Sequence, residues 1–213
     1  LTVTATEAEQ FRGHIAFKAY DCAGNESAEV KEDNVVIVVD TINPSMDASF
    51  QLVDNGGVYN PVNRDGVVQH YFNGDVAFTF TVKEANFFSE DVEIGVTKDN
   101  ETYDVDVEWT VDETNDEIHY GKFTLSGDGD YVVTMRYHDQ SGNVMVDDDE
   151  NEVELYTSEV ITIDTTEPEI EFEYVHDGDI QKTIFTVEEH NFSADHVVVA
   201  NSSTCLLYTS DAA

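Results

Sequence analysis

The chain has 213 residues, 40% of them hydrophobic and 11% aromatic, enough for one large domain or about two of ordinary sandwich size and too apolar for a disordered acidic tail. Forty-six Asp and Glu against nine Lys and Arg give a formal net charge of −37, which repels nucleic acid and anionic membrane and attracts cations, Ca²⁺ among them. No apolar run approaches the roughly 20 residues of a spanning helix, so no membrane insertion is expected of this stretch.

In chain order, residues 1–44 read as the closing strands of one domain. Tyr20-Asp21-Cys22-Ala23-Gly24-Asn25 forms a turn, and a β-branched run, Val38-Val39-Asp40, leads to Pro44. From 45 to 167, short alternating runs predict strands at 47–53, 76–83, 92–98, 103–111, 118–125, 131–138 and 159–164. Turn chemistry separates several of them: Asp54-Asn55-Gly56-Gly57, Lys98-Asp99-Asn100 and Ser126-Gly127-Asp128-Gly129-Asp130. Phe78, Phe80 and Val82 alternate onto one face, as do Tyr131, Val133, Met135 and Tyr137. Trp109, the single Trp, is expected to fill the space between two sheets. These features predict an all-β antiparallel sandwich without an amphipathic helix. Residues 168–204 begin the same pattern again.

Three anchors recur in order. Asp21-Cys22-Ala23-Gly24-Asn25 returns as Asp139-Gln140-Ser141-Gly142-Asn143, 118 residues on. The run Val39-Asp40-Thr41-Ile42-Asn43-Pro44 returns as Ile163-Asp164-Thr165-Thr166-Glu167-Pro168, 124 residues on. Phe80-Thr81-Val82-Lys83-Glu84-Ala85-Asn86-Phe87 returns as Phe185-Thr186-Val187-Glu188-Glu189-His190-Asn191-Phe192, 105 residues on. Unequal spacings imply insertions in the intervening loops, and the period is about one sandwich domain. The boundaries follow: 1–44 is the end of one repeat, 45–167 a complete repeat, and 168–204 the start of a third. Pro44 and Pro168, two of only three prolines, fall at the junctions, where a fixed φ and a missing donor end one ladder.

The Asp-x-x-Gly-Asn turn, the closing Asp-Thr-x-x-Pro and the Val-x-Glu-x-Asn-Phe element together resemble the immunoglobulin-like repeats of large bacterial surface proteins of the adhesin type. The resemblance covers nearly all of residues 1–204. It implies tandem Ig-like sandwiches at a bacterial cell surface or wall, acting as a stalk that supports adhesion or displays another domain. The expected partners are neighbouring repeats, with a host protein or glycan beyond them. The alternatives are a ligand-binding sandwich, which would expose Tyr59, Tyr71, Phe72, Phe87 and Phe88 as a patch, and an accessory region of a secreted glycoside hydrolase. Within the repeats Tyr131 is a candidate tyrosine-corner residue.

Both ends are expected to be cut, with any signal peptide upstream of Leu1. Cys205-Leu206-Leu207-Tyr208-Thr209-Ser210-Asp211-Ala212-Ala213 resembles, residue for residue, a transposon-end sequence used in library preparation, so 205–213 is set aside as a non-native tail. That leaves Cys22 alone and no internal disulfide to expect.

No G-x-S-x-G elbow, H-E-x-x-H pair, phosphate-cradling glycine loop or paired C-x-x-C occurs, and no enzymatic activity is expected. The Gly-Asn pairs read as turns closed by Asp21 or Asp139. Calcium is the one candidate cofactor. Asp147, Asp148, Asp149 and Glu150 form an acidic loop, and Asp40 and Asp164 stand where one repeat passes to the next; such places can gather the about 6–8 oxygens Ca²⁺ takes. Most of the remaining acids read as a solvated face.

Overall fold

A computed structural model describes residues 11–31, 36–54, 57–64, 67–194 and 197–198. The tail at 205–213 lies outside the described residues. The chain divides after Thr165 into two compact units, two residues before the boundary expected from sequence. Each unit is described by itself.

The first unit opens with four short strands, β1 (Phe11–Gly13), β2 (Ala16–Phe17), β3 (Val30–Lys31) and β4 (Ile37–Val39), paired β1 with β4 and β2 with β3. Eleven more follow: β5 (Ser45–Leu52), β6 (Tyr59–Arg64), β7 (Val67–Phe72), β8 (Val76–Lys83), β9 (Val92–Lys98), β10 (Glu101–Thr102), β11 (Glu108–Val111), β12 (Ile118–Leu125), β13 (Gly129–Tyr137), β14 (Tyr156–Thr157) and β15 (Val160–Ile163). They make two sheets, one in the order β11-β12-β8-β5 and one in the order β10-β9-β13-β15-β7-β6, with β14 added to β13. All pairs are antiparallel except β15 with β7. The expected all-β, antiparallel class is the one observed.

The sheets face each other across one core. On β8, Val76, Phe78, Phe80 and Val82 are fully buried, and on β13 so are Tyr131, Val133 and Met135, with Tyr137 almost so. This is the period-2 alternation of the sequence turned into one inward face per strand. Phe78 stacks on Phe123 (5.2 Å between ring centres) and lies 5.0 Å from Phe80, which meets Tyr156 of the other sheet edge-on at 5.7 Å. Aromatic pairs in such offset and edge-on geometries add to the area they bury. The Tyr131 hydroxyl donates back to the Ser126 carbonyl at 2.5 Å and lies 2.7 Å from that of Gly127, the tyrosine-corner geometry.

Three expectations need correction. Of the run at 103–111 only Glu108–Val111 is a strand, because residues 103–107 leave the ladder between β10 and β11. Trp109 sits on β11, an edge strand, half-buried at the margin of the core rather than at its centre. Its ring lies flat over Gly121, where an added Cβ would stand 2.7 Å from it. The hairpin β6–β7 went unexpected, since Pro61 demotes its strand; β6 is the outermost strand of its sheet, where a missing donor costs no ladder bond.

An Asp-x-x-x-Asn turn occurs three times among the described residues with one hydrogen-bond pattern, twice with Gly and once with Glu at its fourth position. Asp21, Asp139 and Asp147 each accept, on Oδ1, backbone N–H bonds from the residues two and four ahead. Asn25, Asn143 and Asn151 return their side-chain amides to the same carboxylates. The fourth position takes positive φ: Gly24 at 84°, Gly142 at 87° and Glu150 at 62°. A side chain there is strained by roughly 1 kcal/mol or more. Glu150→Gly is therefore expected to stabilise the unit by about 0.5–1 kcal/mol. A thermal melt checks this, and a lowered Tm would contradict it.

The second unit contains a nine-by-nine-residue hairpin, β16 (Glu169–Asp177) with β17 (Ile180–Glu188). Its register repeats that of β5 with β8: Ile170 faces Val187 and Phe172 faces Phe185, as Met46 faces Val82 and Ala48 faces Phe80. The two strands join directly, whereas β6 and β7 intervene between β5 and β8. That insertion accounts for the difference between the 124- and 105-residue anchor spacings.

Candidate metal centre

Asp40, Glu84 and Asp139 converge in the first unit, each offering a carboxylate oxygen within 4.8 Å of the others. All three are buried: Glu84 is 2% exposed, Asp139 5% and Asp40 8%. Each follows the end of a strand, Asp40 after β4, Glu84 after β8 and Asp139 after β13. One end of the sandwich thus receives all three, and the chain entering from β4 supplies the first.

Asparagine amides aim the acids. Asn86 donates through Nδ2 to Asp40 Oδ2 at 2.8 Å and through its backbone N–H to Glu84 Oε1 at 2.6 Å. Asn143 donates through Nδ2 to Asp139 Oδ2 at 2.6 Å and lies 3.3 Å from the Asp40 carbonyl. The backbone closes the same joint: Val146 N–H donates to the Pro44 carbonyl at 2.8 Å, and Met46 N–H to the Val146 carbonyl at 2.9 Å. His119 Nε2 lies 3.0 Å from the Glu84 carbonyl. With its proton on Nε2 it donates there, and burial holds its pKa below the usual imidazole range.

The electrostatics are those of like charges crowded out of water. Burial, and then the Asp40 and Asp139 charges, push the Glu84 carboxyl up to about 7 against the pull of the Asn86 amide. The Tyr137 hydroxyl is buried beside these acids. Burial raises its pKa first, and the charges of Glu84 and Asp139 raise it further. It lies near the Phe88 amide without making a hydrogen bond of good geometry. The arrangement can hold a shared proton or a cation that prefers oxygen ligands.

The expected calcium ligands are thereby sorted. Asp40 belongs to the cluster. Asp147 closes its own turn through Asn151 and the Asp149 amide, while Asp148, Asp149 and Glu150 are exposed. Asp164 is half-buried, its N–H donating to the Phe72 carbonyl. Among the described residues neither Asp164 nor the 147–150 loop forms an acid cluster. Glu84 and Asp139 were passed over as ligands, although the sequence holds their signal: each stands inside an anchor that recurs. The Glu84–Asn86 bond also returns in the second unit, where Asn191 N–H donates to Glu189 Oε1 at 2.9 Å.

The aromatics of the ligand-binding alternative do not form one surface. Phe72 is buried in the core. Tyr59 stacks on it at 4.7 Å and hydrogen-bonds His70 at 2.7 Å, and His70 in turn contacts Glu159. Phe87 is wedged between Trp109 (4.8 Å) and His119 (4.2 Å). Comparison with protein-family models, curated proteins and solved structures gives no match for the chain.

Proposed function

We propose that the chain is a stretch of an extracellular bacterial surface protein whose tandem Ig-like repeats serve as a spacer, supporting adhesion or the display of another domain. The observation that carries this reading is the convergence of the three recurring anchors. Asp40, Glu84 with Asn86, and Asp139 with Asn143 meet where one repeat runs into the next. What repeats along this chain is its joint, and a joint is what a spacer needs to reproduce.

The strand order supports the Ig-like reading. With β5 as A, β8 as B, β9 as C, β11 as D, β12 as E, β13 as F and β15 as G, the sheets read D-E-B-A and C-F-G, the constant-type arrangement. The Tyr131 corner stands at the start of F, where such domains carry it. The hairpin register shared by β5–β8 and β16–β17 supports tandem repetition. The charge of −37 suits a long polymer that must stay soluble and not associate with itself.

Cells expressing the full-length protein provide the test. Antibody raised against residues 45–167 is expected to label intact cells and to lose its epitope when protease is added outside. Labelling that appears only after lysis would overturn the reading.

A further inference from the structure

We infer that the apolar face of the β16–β17 hairpin takes the β1–β4 strands of a second copy of this chain, so that copies join head to tail by completing one another's sandwich. The inference goes beyond the spacer reading and shares with it only the equivalence of the strand pairs.

The hairpin carries a core face without a core. Ile170, Phe172 and Tyr174 of β16 stand opposite Val187, Phe185 and Thr183 of β17, and alternation puts all six on one side. Phe172 is 61% exposed and Phe185 58%, with Ile170 and Tyr174 more open still. By the shared register their equivalents are Met46, Ala48 and Phe50 opposite Val82, Phe80 and Phe78. Those residues are buried in the sandwich or packed against its core, covered by the sheet that holds β13, β14 and β15. A contiguous apolar face left in water marks an interaction surface.

A second shared register identifies the occupant. On β1 and β4, Phe11 faces Val39 and Gly13 faces Ile37, as Gly129 faces Ile163 and Tyr131 faces Ile161 on β13 and β15. On β2 and β3, Phe17 faces Val30, as Met135 of β13 faces Tyr156 of β14. The strands β1–β4 are therefore the counterpart of β13, β14 and β15, the group that covers β5 and β8. Met135 is fully buried, and Tyr156 meets Phe80 edge-on at 5.7 Å. Phe17 and Val30, in their places, are 47% and 69% exposed, while Phe185 stands where Phe80 does. One segment of the chain lacks the cover that another supplies.

Charge favours the same pairing. The net charge of −37 opposes contact between most faces of two copies. Residues 11–31 are the exception, since Arg12, Lys18 and Lys31 balance Asp21, Glu26 and Glu29. Residues 169–188 hold six acids against Lys182 alone, so a neutral segment bearing three cations is the least repelled surface that can reach them. Burial of the two apolar faces drives the association. Each copy offers both a hairpin and a set of β1–β4 strands, so the contact is heterologous and propagates rather than closing on a symmetric dimer.

Sedimentation velocity of the full chain at pH 7.5 in 0.15 M NaCl tests this. The wild type is expected to associate as concentration rises, into species larger than a dimer. Phe17→Asp and Phe172→Asp change exposed positions at the two proposed faces, and each variant, confirmed folded by circular dichroism, should remain monomeric. Mixed in equal amounts they should form a dimer and stop there, because one copy brings intact β1–β4 strands and the other an intact hairpin. Val111→Asp alters an exposed apolar residue of β11 and should associate as the wild type does. A wild type that stays monomeric at every concentration would overturn the inference, as would a mixture of the two variants that stays monomeric. Association that survives Phe17→Asp would mean hairpin meeting hairpin, and equal loss in Val111→Asp would mean general adhesiveness; either result contradicts it. None of these outcomes alters the surface-labelling result, so the spacer reading stands or falls separately.

Discussion

Replacing Phe78 with alanine is expected to destabilise the first unit by about 3–5 kcal/mol, the range for truncating a buried aromatic. Phe78 is fully buried in the middle of β8, the strand paired with both β5 and β12. Its ring lies 5.9 Å from Phe50, 5.0 Å from Phe80 and 5.2 Å from Phe123. Removing it therefore opens a cavity in the centre of the aromatic cluster, and the neighbouring rings are too stiff to refill it. For a unit of this size each kcal/mol moves Tm by about 2–4 °C, so a fall of roughly 10 °C is expected in a thermal melt. Thr79→Ala, one residue along on the opposite face of the strand and half-buried, should cost under about 1 kcal/mol. Similar losses at the two positions would contradict a core lying between the sheets.

Glu84→Gln is expected to change sign with calcium. In chelator at pH 7.5 the wild type carries a buried carboxylate beside two others. Glu84 has its folded pKa raised from 4.5 to about 7, so the folded state binds the extra proton. Stability should accordingly fall as pH rises from about 4.5 to about 7 and remain reduced above that. At about 1.4 kcal/mol per pKa unit the penalty is roughly 3 kcal/mol at most. Glutamine fills the same space without charge, so the variant should melt several degrees higher than wild type in chelator and lack that pH slope. In calcium at a thousandfold excess over Kd, the wild type gains about 4.1 kcal/mol, more than that penalty, and the variant gains almost nothing. Urea melts of both proteins at pH 5 and 7.5, with chelator or with CaCl₂, check the crossing. A variant less stable than wild type in chelator would show that Glu84 is held by hydrogen bonds alone.

Strands whose side chains alternate cleanly were legible in the sequence. Residues 76–83, 92–98 and 118–125 were expected as strands, and β8, β9 and β12 have those limits. Each carries period-2 apolar residues because one face is buried and the other is not. The β6–β7 hairpin was not legible, since its outer strand is polar and contains Pro61, features an edge tolerates and a central strand does not. The parallel pairing of β15 with β7 joins residues about ninety positions apart, and no local pattern encodes such a contact.

The candidate site was half legible, for a reason that lies in how acids cluster. Asp40 was named because it ends a strand at a junction, and the 147–150 loop because it is a run of charge. A run of neighbouring acids points its side chains apart into solvent, and Asp147 spends its carboxylate on its own turn. A buried centre instead draws single acids from separate strands. The useful signal was recurrence: Glu84 and Asp139 lie in two anchors and Asp40 in the third. Anchors that recur together in order can mark one place in space, even when each has an adequate local explanation of its own.

A cation held at that place is what would make the three anchors one joint. The most direct measurement is a crystal structure of the full chain grown in CaCl₂, with anomalous differences recorded at long wavelength. One strong anomalous peak is expected, bounded by Asp40, Glu84 and Asp139, with carboxylate oxygens about 2.3–2.6 Å from it. A peak in the 147–150 loop instead, or carboxylates joined by a hydrogen bond with no ion between them, would contradict it.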